Sequence, residues 1–336
     1  MSRILGLREK AKKNRKVIVL PEGEDERVVR AASFLASEKI TDVVLLGKKD
    51  EVMSIAEKAS ISLDNVGLVD PSTHDKRDEL IGGYYELRKS KGITPAEAES
   101  AITRNPVYYA AMMTRSGIVD GFVAGACHTT SDVARAAIQC LRLDREIGTV
   151  SSSFIIEMEN CRFGADGLFI YADCGIIPCP NARQLAGIAV AASDLFMKLF
   201  GIEPRVAMLS YSTKGSAKSE SGERILEALA KIKAKRPGLL IDGELQLDSA
   251  IVPEVAGLKC PGSEVEGKAN VLIFPSLDAG NISYKLSQRL GNARAVGPII
   301  QGLDKPCSDL SRGCSWEDVA DTAAVTAIRA QGIIRF

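Results

Sequence analysis

The segment Gly302-Leu-Asp-Lys-Pro-Cys-Ser-Asp-Leu-Ser-Arg-Gly-Cys-Ser-Trp-Glu-Asp318 holds the densest group of residues able to do chemistry. It follows an apolar run of strand character and leads into a helical pattern. Ser311, Arg312 and Asp318 therefore fall around a helix N-terminus. Unpaired N–H groups and the helix dipole favour an anion there, and Arg312 offers a planar fork to a phosphate. The same spacing also writes an S-x-x-D capping box from Ser315 to Asp318, which needs no ligand. A second segment, Ser210-Tyr-Ser-Thr-Lys-Gly-Ser216, presents Ser212, Thr213 and Lys214 between a strand and a helix. It resembles a phosphate loop in its polarity, but it is not a G-x-x-x-x-G-K-[ST] loop. A hydroxyl-rich turn is the plain alternative. In a third, Ala124-Gly-Ala-Cys-His-Thr-Thr-Ser-Asp-Val-Ala-Arg135, hydroxyls including Thr130 meet helix N–H groups, with Arg135 about one turn further on. Here the plain reading is an N-cap followed by a solvated arginine. Arg88 opens a basic run, Arg88-Lys-Ser-Lys91.

What the chain lacks narrows the chemistry further. It has only two histidines, His74 and His128, so a His-rich metal site is impossible and no metal is expected. His128 reads as a hydrogen-bonded structural residue. Lys plus Arg and Asp plus Glu number 43 each, so no global field draws the chain to nucleic acid or to an anionic membrane. Residues 8–16 hold six cations against one Glu, which reads as a solvated helix face. No aromatics interleave with the cations for base stacking. The eight cysteines include no C-x-x-C and sit mostly in apolar or helical stretches. Mostly buried free thiols in a reducing cytosol are expected. The charged Met1 to Arg15 stretch has no apolar core of a secretory signal. The best apolar stretch, Leu185 to Ile202, is broken by Ser193, Asp194 and Lys198, so no transmembrane helix is expected. No G-x-G-x-x-G occurs, which weakens a dinucleotide reading.

The elements that must position these residues alternate between two periods. Lys16–Leu20, Asp42–Leu46, Ile118–Ala124, Arg205–Ser210, Leu239–Leu245, Asn270–Phe274 and Ala295–Ile300 read as strands. Helices are expected over Asp25–Ser37, Lys49–Ala59, His74–Ser90, Pro180–Phe200, Lys218–Ala234, Asn281–Leu290 and Ser315–Ala330. Thr94-Pro95-Ala96-Glu97 is a capping box, and Asn105-Pro106 opens the next helix, which Gly117 closes. Thr149–Met158 and Gly167–Ala172 alternate like antiparallel neighbours. Strands separated by 10–15-residue helices mean βαβ units around mainly parallel sheets. At 336 residues, two α/β domains with a cleft between them are expected. Sites in such folds lie at strand C-terminal ends.

Several longer motifs, in order, make the chain resemble the phosphate acetyl/butyryltransferase family. They are Leu20-Pro-Glu-Gly23, Ala124-Gly-Ala126 with Thr130-Ser-Asp-Val-Ala-Arg135, Tyr171-Ala-Asp-Cys174, Leu209-Ser-Tyr-Ser-Thr-Lys-Gly-Ser216, Gly280-Asn-Ile-Ser-Tyr-Lys285, Gln288-Arg-Leu-Gly291, Gly297-Pro298 and Asp309-Leu-Ser-Arg-Gly-Cys-Ser315. The resemblance implies an isopropylmalate-dehydrogenase-like fold of two three-layer α/β domains. Residues 1–146 with 302–336 would form the first and 147–301 the second, the C-terminal helix returning to the first. It implies a homodimer and reversible acetyl transfer between coenzyme A and inorganic phosphate. Coenzyme A is then a substrate, with no tightly bound cofactor. Ser311, Arg312 and Asp318 match the family's C-terminal active-site motif, Arg135 the arginine after its Thr-Ala-Asp-Val motif, and Arg88 an earlier helix arginine.

Those matches suit thiol attack on acetyl phosphate: Asp318 as base, Ser311 as donor to the acyl oxygen, Arg312 and Arg135 as phosphate clamp. A free Asp near 3.9 and a thiol near 8.5 leave about 6 kcal/mol to be found. Burial of the aspartate or stabilisation of the thiolate would supply it. A covalent acetyl-cysteine at Cys314 or Cys127 is a lesser alternative. Other readings are a butyryl-preferring transferase and a non-catalytic binding module. A decarboxylating dehydrogenase would need a metal-binding Asp cluster that the sequence does not offer.

Overall fold

A computed structural model describes residues 2–332. The strands are β1 Val17–Leu20, β2 Asp42–Leu46, β3 Val66–Val69, β4 Gly121–Ala124, β5 Ser151–Glu157, β6 Leu168–Ala172, β7 Arg205–Leu209, β8 Leu240–Leu245, β9 Val271–Ile273, β10 Arg294–Gln301 and β11 Cys307–Asp309. The helices are α1 Arg3–Lys12, α2 Glu26–Ser37, α3 Lys49–Lys58, α4 Arg77–Arg88, α5 Pro95–Arg104, α6 Pro106–Ser116, α7 Thr130–Cys140, α8 Ala182–Phe200, α9 Glu220–Lys235, α10 Leu247–Ile251, α11 Pro253–Lys259, α12 Leu277–Arg289 and α13 Trp316–Ala330. The fold is of the isopropylmalate-dehydrogenase-like α/β class.

The chain divides into two compact units. One is Arg3–Arg142 together with the chain from Leu303 on; the other is Leu143–Gly302. In the first unit the strands lie in the order β3-β2-β1-β4-β11, every pairing parallel. Ile18, Val19 and Leu20 of β1 are fully buried, as a central parallel strand covered on both faces must be. The order reverses between β1 and β4, so the loops leaving their C-terminal ends part and open a crevice. Helix α2 is capped by the Asp25 side chain on the Arg27 N–H and buries Val28, Val29, Ala32 and Leu35. Helix α13 is alanine-rich and buried almost throughout from Val319 to Ala330, because α1, α2 and β4 all pack on it.

The second unit orders its strands β10-β5-β6-β9-β7-β8. β5 pairs antiparallel with both β10 and β6, while β9, β7 and β8 run parallel.

One local expectation needs correction. The cations of residues 8–16 are not all solvated. Ile4, Leu7 and Ala11 of α1 are buried, and Arg8 forms a 2.7 Å ion pair with the buried Asp321. In the segment before Ser311, Cys-Ser-Asp of β11 is a fully buried strand beside β4. The thiols are mostly buried, as expected: five cysteines are buried, Cys161 is intermediate, and Cys127 and Cys179 are exposed; all eight are free thiols. No helix among the described residues is long and apolar enough to cross a membrane.

Candidate active site

Three loops leave the C-terminal ends of β1, β4 and β11, and one buried side chain organises the first two. Glu22, after β1, is 1% exposed. Its carboxylate accepts the N–H groups of Gly125 and Ala126 at 2.9 and 2.8 Å, and those of Cys127 and His128 at 2.8 and 3.0 Å. It also meets His128 Nδ1 at 2.8 Å. Burial pushes the Glu22 carboxyl up, but the His128 ring and the backbone donors outweigh it and hold the group below its ordinary range. His128 is thus the structural residue expected, its pKa raised chiefly by the hydrogen bond to Glu22. Gly125 is required here: its φ is +115°, and a Cβ would lie 2.3 Å from Asp309 Oδ1.

The loop after β11 carries Ser311 and Arg312, both exposed. The Arg312 guanidinium makes no hydrogen bond or ion pair among the described residues, so its fork is open to an anion. Ser315 then starts α13 with a complete capping box. Asp318 Oδ2 accepts the Ser315 N–H at 2.9 Å, and Ser315 Oγ accepts the Asp318 N–H at 3.2 Å. Only one oxygen of Asp318 serves the cap; Oδ1 has no hydrogen bond among the described residues. The capping reading and the base reading of Asp318 therefore occupy different atoms.

Asp309, at the end of β11, is fully buried, and neither of its carboxylate oxygens has a hydrogen-bond partner of ordinary geometry. Burial pushes its pKa up to about 7; the Thr130 hydroxyl and the Leu310 N–H oppose the shift, and Glu22 adds to it. Thr130 is the first residue of α7, after the Thr129 cap.

Further along α7, Arg135 is exposed and pairs with Asp132 at 3.1 Å. It converges with Arg88 of α4 on a phenolic cluster that sequence reasoning missed. Tyr84 and Tyr108 stack edge-on, 5.7 Å apart, and both hydroxyls donate to Gln139 Oε1, at 2.8 and 3.2 Å. Burial raises the Tyr108 hydroxyl, with Cys140 adding, while Arg135 and Arg88 both pull it back. Two cations from separate helices are thereby brought to one patch.

In the second unit, the turn after β7 is closed on itself. Ser212 and Thr213 are buried. Ser212 Oγ donates to Glu244 at 3.0 Å, while Thr213 Oγ1 meets Ser249 Oγ at 3.2 Å and accepts the Gln246 N–H at 2.9 Å. The Lys214 ammonium is held by the Asp242 carboxylate and the Gly243 carbonyl. Ser212 and Thr213 shape the turn in this structure, where the sequence suggested a substrate-binding role. Acceptors on β8 and α10, invisible to local spacing, take their hydroxyls. Lys214 alone of the three is exposed.

The description "Phosphate acetyl/butaryl transferase" belongs to the family profile that matches residues 4–327. The chain is 50% identical over 331 residues to the phosphate acetyltransferase of Thermoanaerobacterium thermosaccharolyticum, covering 98% of this chain and 100% of that one. It is 51% identical over 323 residues to that of Acetivibrio thermocellus, covering 96% of each chain. A solved phosphotransacetylase from Streptococcus pyogenes superposes with a TM-score of 0.91 at 40% identity, over 98% of this chain and 99% of that one. An α/β acyltransferase class is thereby defined. The chain belongs to the phosphate acetyl/butaryl transferase family.

Proposed function

We propose that this protein catalyses acetyl-CoA + phosphate = CoA + acetyl phosphate by direct transfer in a ternary complex. The observation that carries the reading is the loop after β11. It offers an open guanidinium (Arg312) and a hydroxyl (Ser311) ahead of a capped helix whose Asp318 keeps one carboxylate oxygen unengaged. In the thioester-forming direction, Asp318 Oδ1 takes the coenzyme A thiol proton. The thiolate sulfur bonds to the acetyl carbonyl carbon, and Ser311 donates to the carbonyl oxygen as charge develops there. The bond from the acyl carbon to the phosphate oxygen breaks, and phosphate leaves with that electron pair, held by Arg312 and Arg135. Arg88, turned to the same patch as Arg135, adds positive charge. Exposed Lys214 is the remaining candidate cation for coenzyme A phosphates.

A cysteine nucleophile is disfavoured. Although Cys127 is exposed, partial desolvation by its surroundings, aided by the Glu22 and Asp25 carboxylates, pushes its thiol up to about 12. Burial also pushes Cys314 up to about 11, even though Arg27 opposes the shift. Both thiols are protonated at neutral pH and poorly nucleophilic. The free thiols support a cytoplasmic enzyme, and we expect a homodimer. The test is thioester formation from coenzyme A with acetyl or butyryl phosphate, supplied separately. Acetyl phosphate is expected to give the higher kcat/KM. No thioester from either would overturn the reading, and a butyryl preference would reassign the acyl group.

A further inference from the structure

Arg27, in the first turn of α2, uses all five of its N–H donors, and their acceptors lie in three separate segments. Nε donates to Asp25 Oδ1 at 3.0 Å, and Nη2 to Asp25 Oδ2 at 2.7 Å and to the Ala126 carbonyl at 3.0 Å. Nη1 donates to the carbonyls of Arg312 and Cys314 at 2.8 and 2.9 Å. A guanidinium has five N–H groups in a fixed plane, so none is left for a substrate. Asp25 is itself fixed, because its Oδ1 also caps α2 by accepting the Arg27 N–H at 2.8 Å. The loop after β11 is otherwise lightly held: Ser311, Arg312 and Gly313 are exposed, and its own bonds are the Cys314 N–H to the Ser311 carbonyl at 2.9 Å and the Gly313 N–H to Ser311 Oγ at 3.3 Å.

We propose that Arg27 is a positioning residue for acetyl transfer: anchored on Asp25, it grips the Arg312 and Cys314 carbonyls and the Ala126 carbonyl, and so fixes where Ser311 and Arg312 stand. The inference rests on the function proposed above. It assigns a division of labour among the arginines. Arg312 has its fork open and acts on the phosphate; Arg27 has its fork filled and acts on the backbone that carries Arg312. Lysine at 27 could not substitute, since three donors on a flexible stem cannot reach five acceptors set in one plane.

The test is Arg27→Lys, with Arg27→Gln as a second variant should the first fold poorly. A displacement of about 1 Å at a reacting group can cost about 10²-fold in rate. A fall of that size in kcat/KM for acetyl phosphate is therefore expected, with the KM for coenzyme A within about twofold of wild type on that same argument. The single tryptophan, Trp316, directly follows the loop and stacks edge-on with Phe34 at 5.2 Å, giving a readout independent of catalysis. Its quenching by acrylamide should rise in both variants. Wild-type kcat/KM in Arg27→Lys, or a loss confined to a raised KM for coenzyme A with kcat unchanged, would overturn the positioning role. A wild-type protein without transferase activity would instead overturn the proposed function. In that case unchanged Trp316 quenching in the variants would overturn the grip on the loop, and increased quenching would support it.

Discussion

In the first turn of α13, Asp318 accepts the Ser315 N–H through one oxygen and leaves the other free for a proton. That separation makes an informative substitution possible. Asn keeps an acceptor for the cap but cannot take a proton at neutral pH. Asp318→Asn should therefore lower the melting temperature little, within the 0.5–2 kcal/mol typical of caps, while turnover falls about 10²–10⁴-fold. Raising the pH should recover part of the rate, because coenzyme A then supplies its own thiolate. A destabilised variant with near-normal turnover would leave Asp318 a cap only. The search for a base would then move to Asp309, whose pKa of about 7 already suits proton transfer. The spacing of Ser315 and Asp318 made the cap legible in the sequence, and the family motif made Ser311 and Arg312 legible. Asp309 was not recognisable as a buried group, because Cys-Ser-Asp has none of the β-branched or aromatic character that marks a strand.

Among the elements, the loops after β1 and β4 are bound through Glu22, and this coupling has a pH signature. The folded-state pKa of Glu22 lies below its ordinary value of 4.5. Its contribution to stability is thus fully present above about 4.5 and is lost as pH falls through the lower folded value. His128 is raised from 6.5, so its contribution is present below 6.5 and is lost as pH rises through the higher folded value. The pair is strongest between those limits. Glu22→Gln replaces an acceptor oxygen by an amide that faces buried N–H groups, at a cost of about 1–3 kcal/mol for each donor left unpaired. Thermal melts of both proteins from acid to pH 8 should differ most between about 4.5 and 6.5 and converge as the pH falls through the lowered folded value of Glu22. A constant offset across the range would contradict the account. Much at this scale was legible. The Thr94 and Glu97 capping box, the Asn105 cap and the left-handed Gly117 all formed as their residue types dictate. β3, β11 and the short α10 and α11 were missed, because runs of three to seven residues carry too little periodicity.

Across the whole molecule, the alternation of periods was enough to expect parallel βαβ units, and both units contain them. The return of the chain from Leu303 to pack α13 against α1, α2 and β4 was implied by the family resemblance alone. No local pattern reports that Arg27 and Cys314, 287 residues apart, share a hydrogen bond. For the same reason Glu22 and Arg27, which tie the three loops, were absent from the residues that sequence alone put forward for the site. The claim at stake is that acetyl passes straight from phosphate to coenzyme A with no protein-bound stop. Initial rates with acetyl phosphate and coenzyme A both varied, read beside the acetyl content of protein exposed to labelled acetyl phosphate alone, test it most directly. Intersecting double-reciprocal lines and no stoichiometric acetyl-protein are the predicted result. Parallel lines, with an acetyl-protein that passes its label to coenzyme A, would contradict it.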